Sequence, residues 1–226
     1  RFQCALARAD EGGADRAYNA ILASTPTAPT AHKFIAACDT IRFNRAVERF
    51  RASPDDIVSA KRVVQFGQAI ISRAGEGAPD QAAGVMNRTA DAALAVWRAD
   101  GSAEMRDLVI SLDELLLRKT RTAASIRRLA LVIESTGKKS EALELWNEIL
   151  AGVDDTSDPW FEARCESLRI LIDTNPAEAV AAMQQHRVLH PDLGPERWPT
   201  QLEDLERKIK ALPPPPTSPR HAPPAK

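Results

Sequence analysis

His186 and His190 stand four residues apart in "QQHRVLHPD", a spacing at which two imidazoles on one helix face can share a metal ion. Pro191 follows at once, however, and no acidic or thiol side chain lies at motif spacing from the pair. His186 also occupies the place that apolar Ile149 holds in an earlier helix. The reading is a partly buried structural histidine, with no metal and no other cofactor called for. A basic run, "RKTRTAASIRR", brings together Arg118, Lys119, Arg121, Arg127 and Arg128. An anionic peptide or a phosphate would suit it, and so would plain solvation of a helix face. Nucleic acid suits it less, because no aromatic side chains interleave with the charges. "GEG" at 75–77 lacks the lysine and the preceding strand of a phosphate loop and reads as a linker. Asp55 with Asp56, and Asp154 with Asp155, lie at helix starts or in loops, where carboxylates favour the positive end of the helix dipole. No serine sits in a nucleophile elbow, and no nucleophile, base and oxyanion donor converge. The expectation is a protein that is not an enzyme.

The elements that position these residues follow from composition and punctuation. A chain of 226 residues suits one large or two small domains and can bury roughly 70% of its unfolded surface without covalent staples. With 30 basic and 31 acidic side chains, the formal charge of −1 offers no long-range field to a nucleic acid or an anionic membrane. Cys4, Cys38 and Cys165 are odd in number and far apart, as expected of small buried hydrophobes in a reducing, cytoplasmic setting. No apolar run approaches the ~20 residues of a spanning helix. The chain starts "RFQCALARADEGG", without Met, so residue 1 is not expected to be the natural start.

Turn residues break the chain at short intervals, for example "STPTAPT", "ASPDD", "STGKKS" and "HPDLGPERWP". Between them, apolar residues recur at helical spacing. Met105, Leu108, Val109, Leu112, Leu115 and Leu116 step by threes and fours, as do Ile126, Leu129, Ala130 and Ile133. No stretch alternates as a half-buried strand does. The fold class expected is all-α. Near the end, Trp198, Leu202, Leu205 and Ile209 line one side of a helix, with Glu203, Asp204, Arg207 and Lys208 on the other. "PPPPTSPRHAPPAK" after it supports neither helix nor strand.

Residues 129 to 149 carry a resemblance. Leu129 and Ala130, then Ile133, Gly137, Ala142 and Trp146, fall in the order and spacing of the tetratricopeptide repeat, a helical hairpin of about 34 residues. A second unit places Ala179 and Met183 where Ala142 and Trp146 stood, ending at Pro191, with Thr174 or Asn175 in place of the turn glycine. Gly12, Ala17 and Ile21 repeat the spacing near the start. The resemblance covers about half the chain. It divides the chain into a partial hairpin (1–30), helical hairpins without a clear repeat match (31–120) and two repeats (121–192). A C-terminal capping helix (193–212) and a disordered proline-rich tail (213–226) follow.

What the resemblance implies is an α-solenoid of antiparallel hairpins, a right-handed superhelix with a concave face for a protein or peptide partner. On that face it puts Arg127, Leu131 and Glu134. The variety of this family that clamps a carboxylate has an asparagine where Leu131 stands, so recognition of acidic C-terminal tails is not expected. The function expected is a noncatalytic interaction or scaffold module, the C-terminal part of a larger, bacterial-type protein, with no nucleic acid and no membrane as partner. The alternative is a structural domain that packs on a missing N-terminal domain or on another copy, through an apolar patch of Phe2, Leu6, Ile21 and Leu22.

Overall fold

A computed structural model describes residues 11–24, 29–74 and 79–212. Phe2, Cys4, Leu6, the 75–77 linker, the tail at 213–226 and the side chain of Leu22 lie outside the described residues. Among those described, ten α-helices and no strand occur. None of the described helices is long and apolar enough to cross a membrane. The chain divides into two compact units, Arg1–Arg121 and Thr122–Lys226.

The first unit contains α1 (Glu11–Ser24), α2 (Pro29–Ala52), α3 (Ile57–Ala74), α4 (Pro79–Asp100) and α5 (Ala103–Leu117), each packed on the next along the chain. Asp56 starts α3: its carboxylate accepts the Val58 N–H at 3.0 Å, the Ser59 N–H at 3.2 Å and the Ser59 hydroxyl at 2.6 Å. Those bonds, the Ser59 hydroxyl first, hold the Asp56 carboxyl below the usual range. Ser102 caps α5 by accepting the Met105 N–H. Small residues let these helices approach closely, with Ala60, Ala90, Ala92 and Ala93 fully buried. One polar knot ties α1, α2 and α3. Buried Asp39 accepts the Tyr18 hydroxyl at 2.5 Å and pairs with Arg73, whose guanidinium also donates to the Tyr18 oxygen at 3.1 Å. A carboxylate so deep is tolerable only when its lone pairs are met in this way. Ile21 packs beside Tyr18, in the small core with Ala14, Ile35 and Cys38.

The second unit contains α6 (Ala123–Ser135), α7 (Lys139–Gly152), α8 (Asp158–Thr174), α9 (Pro176–Leu189) and α10 (Trp198–Lys210). Thr122 caps α6, its hydroxyl accepting the Ser125 N–H at 3.2 Å. α6 turns into α7 through Gly137 at φ 85°, a left-handed conformation that glycine adopts without a Cβ penalty. α8 turns into α9 through Asn175 alone, at φ −149°. No left-handed residue is needed there. Instead the Asn175 side chain accepts the Glu178 N–H at 3.4 Å, and Pro176 opens the new helix.

The start of α7 meets the end of α8 through Lys139 and Asp173, 2.8 Å apart, so these two helices run antiparallel. α6 and α8 run the same way: Arg127 pairs with Glu162 at 2.6 Å and Glu134 with Arg169 at 2.5 Å, both across 35 residues of sequence. An equal offset at two points seven residues apart requires parallel, side-by-side helices in fixed register.

Apolar periodicity sets what is buried. α7 turns Ala142, Trp146 and Ile149 inward, and α9 turns Ala179, Met183 and His186 inward. α10 buries Trp198, Leu202, Leu205 and Ile209 against α8 and α9, while Glu203, Asp204, Arg207 and Lys208 stay in solvent. Side chains of this size contribute about 1.5–3 kcal/mol each when fully buried. The amphipathic character of α10 thus accounts for its docking.

Candidate functional site

α6 is buried on almost every side. From Ser125 to Ile133 only Arg127 and Leu131 keep partial access to solvent, and Glu134 continues their stripe. These are the three residues expected to meet a partner, and helical spacing aligns them on one edge. The same pattern recurs on α8. Between Trp160 and Leu171 only Glu162, Glu166 and Arg169 reach solvent, at 35 residues from 127, 131 and 134 respectively. Two stripes in register therefore form one accessible ribbon across α6 and α8.

The ribbon is a lattice of ion pairs around an apolar point. Arg127 grips Glu162 with two nitrogens, each bond 2.6 Å. Arg169 reaches Glu134 at 2.5 Å and Glu166 at 2.6 Å. The Glu134 carboxylate, backed by Glu166, binds the Arg169 proton more firmly than usual. Leu131 stands between the two pairs on α6. Arg127 and Glu134 thus hold α6 to α8 as well as facing outward. Glu162, Glu166 and Arg169 escaped the reading of the sequence. Neither the ideal repeat of about 34 residues nor the 37 residues between Ala142 and Ala179, added to 127, 131 and 134, reaches them.

The histidines lie at the other end of the unit. His186 is completely buried, deeper than expected, and neither of its ring nitrogens meets a hydrogen-bond partner. His190 is half-buried, its ring 5.2 Å from that of His186. Trp160 and Phe161 of α8 pack against both imidazoles. Among the described residues, no group of three or more His, Cys, Asp or Glu forms a cluster that can hold a metal ion. Arg164 lies nearby, its guanidinium 4.9 Å above the Trp160 ring and its arginine pKa lowered by burial. That neighbour is a poor one for a metal cation.

The remaining candidates separate. Of the basic run, Arg118, Lys119 and Arg121 are exposed, Arg127 serves the ribbon, and Arg128 is buried, donating to the Ser125 hydroxyl at 3.2 Å. It is not one basic face. Asp154 accepts the Thr156 N–H at 2.8 Å as well as its hydroxyl, and those bonds, the hydroxyl's first, hold its carboxyl low. It shapes the turn before α8. Burial pushes the Cys165 thiol up to about 12, and that of Cys38 up as well, so neither is a ready nucleophile. In the first unit a depression of about 350 Å³ lies over Val64, Val96 and Met105. The Lys61–Asp100 ion pair, 3.3 Å long, lines it.

No protein-family model, curated protein or solved structure matches this chain.

Proposed function

We propose that the second unit is a noncatalytic docking module: a tetratricopeptide-like solenoid of antiparallel hairpins that holds a protein or peptide segment along the α6–α8 ribbon. The observation that carries this reading is the register of the two open stripes, Arg127, Leu131 and Glu134 against Glu162, Glu166 and Arg169, at one offset of 35 residues. In a right-handed superhelix of such hairpins, the first helix of each pair lines the concave face, and α6 and α8 hold those positions. The buried slots of α7 and α9 support the same reading.

Binding follows from the chemistry of the ribbon. Ion pairs in partial contact with solvent are worth only about 0.2–1 kcal/mol each, so a partner can re-route them at small cost. Leu131 supplies the apolar anchor between them, and a few desolvated contacts of this kind carry most of an interface's energy. A phage-displayed peptide library selected on the whole chain tests the proposal. Selected peptides should lose binding to Leu131→Asp, and to the double swap Arg127→Glu with Glu162→Arg, which keeps the pair but reverses its field. Peptides that bind both variants as tightly as the original chain would remove the ribbon from consideration.

A second reading, packing on another domain or copy, is favoured by α9, where Val188 is 81% exposed, Leu189 48% and Val180 37%. Light scattering separates the two. A stable monomer supports the docking module, and a defined oligomer that Val188→Glu dissolves supports the packing role.

A further inference from the structure

His186 is a titratable group buried where the docking reading has no use for it. Trp160 stacks on its ring at 5.7 Å, and Phe161 meets it edge-on at 6.1 Å. The groups that bear charge around it are cationic. Arg164 comes from α8, Arg187 from α9 itself, and His190 from the first residue after it. The connection after α9 contributes the Leu193 backbone, which favours the charged ring only weakly and makes no hydrogen bond of normal geometry with it. α10 contributes Trp198, stacked on Phe161 at 6.1 Å. Of the carboxylates at this end, Asp158 accepts the Trp198 indole N–H at 2.8 Å, Glu206 pairs with Arg187 and Lys210, and Asp192 and Glu196 of the connection are exposed.

We propose that His186 makes the packing of α9, the 190–197 connection and α10 onto α8 an acid-released latch, closed while the imidazole is neutral and opened when it takes a proton from solvent. A charged ring here would have neither water nor a carboxylate to meet it, and two guanidinium groups and a second imidazole beside it. Burial, then His190 and Arg164, lower its pKa from 6.5 to about 4. The sign follows from the lowering. Below 6.5 the opened chain binds more protons than the closed one, so closure is complete above that pH and weakens as the pH falls toward 4. The ratio of closed to open falls by up to about tenfold per pH unit across that window.

The connection is built to let go. Leu193 and Glu196 hold left-handed backbone at φ 64° and 48°, conformations that persist only while surrounding packing enforces them. Leu193 is held by burial in the same core as Trp160, Phe161 and Trp198. Once that core loosens, the backbone favours the open state, and the aromatic face of α8 becomes accessible.

Amide hydrogen exchange on the whole chain, followed from pH 7 downward and corrected for intrinsic rates, tests the latch. Amides of α10 should lose protection between pH 6.5 and about 4 while those of α6 and α7 keep it. His186→Ile, which installs the residue found at the matching slot of α7, should move that opening down by at least about one pH unit. A folded variant that opens at the pH of the original chain overturns the proposal. So does simultaneous loss of protection throughout α6 to α10. If the variant does not fold, nuclear magnetic resonance of the His186 ring in the unaltered chain decides. Protonation in step with opening supports the latch. Titration near 6.5 with α10 still protected rules it out.

Discussion

In α7 the inward slots at 142, 146 and 149 hold alanine, tryptophan and isoleucine, whereas in α9 the matching slots at 179, 183 and 186 hold alanine, methionine and histidine. All six are buried. The alanine is common to both, because a larger side chain there would push neighbouring helices apart. The other two slots have been refilled. The large indole of the first hairpin fills its space from within. In the second hairpin the smaller Met183 shares a core with Trp160, Phe161 and Trp198, so aromatic volume comes from α8 and α10. The helical frame therefore tolerates a change of polarity and volume in a slot, provided that neighbouring elements restore the packing. In the second hairpin they restored volume but gave the imidazole no hydrogen bond, and the proposed acid release of the latch rests on that.

Substitution in the slots should break the comparison most visibly. Trp146→Ala should cost about 3–5 kcal/mol, since its side chain is completely buried. Met183→Ala should cost less, about 2–3 kcal/mol, because the surrounding rings and a flexible neighbour can partly collapse onto the gap. Urea denaturation monitored by circular dichroism measures both. Equal losses would mean that the two hairpins are filled in the same way after all.

The connections offer a sharper and smaller contrast. Gly137 and Gly194 both hold positive φ, at 85° and 105°. Around Gly137 a Cβ would meet nothing within 4 Å, whereas at Gly194 it would lie 2.8 Å from Phe161 Cζ. Gly137→Ala should therefore cost only the left-handed strain, about 1–2 kcal/mol. Gly194→Ala adds overpacking of about 1–3 kcal/mol. Thermal unfolding of the two variants side by side checks the order. A Gly194 variant no worse than the Gly137 variant would show that Phe161 moves freely, and that the aromatic core at this end is looser than its contacts suggest.

Much of this contrast was readable in advance because its causes are local. Ala142, Trp146 and Ile149 fall on one face by helical spacing alone, Gly137 marks a turn by its own backbone freedom, and α10 declares its wet and dry sides in thirteen residues. The depth of His186 was not readable, since it depends on Trp160 and Phe161 arriving from another helix and on Leu193 folding back over it. The partners of Arg127 and Glu134 were hidden for a related reason. Their 35-residue offset differs from the 37 residues between Ala142 and Ala179, because α8, at 17 residues, is longer than α6, at 13, and the shorter joint at Asn175 offsets only part of that excess. In the first unit, alanine-lined helices of 24, 18 and 22 residues carry few size contrasts, so the sequence said little about their pairing.

The smallest effect concerns the ribbon itself. A double-mutant cycle on Arg127→Ala and Glu162→Ala should give a coupling of about 0.5–1 kcal/mol, because the two side chains are 33% and 25% exposed and water competes for both. Raising the salt from about 0.1 to 1 M should shrink it, since the screening length falls from about 10 to 3 Å. A coupling of several kcal/mol that salt leaves unchanged would mean that the pair is a structural clamp, too costly for a partner to open. A coupling near zero would assign the register of α6 and α8 to buried contacts alone, with the ribbon's charges left to recognition. The intermediate value expected here lets the same side chains align two helices when the ribbon is empty and turn toward a ligand when it is filled.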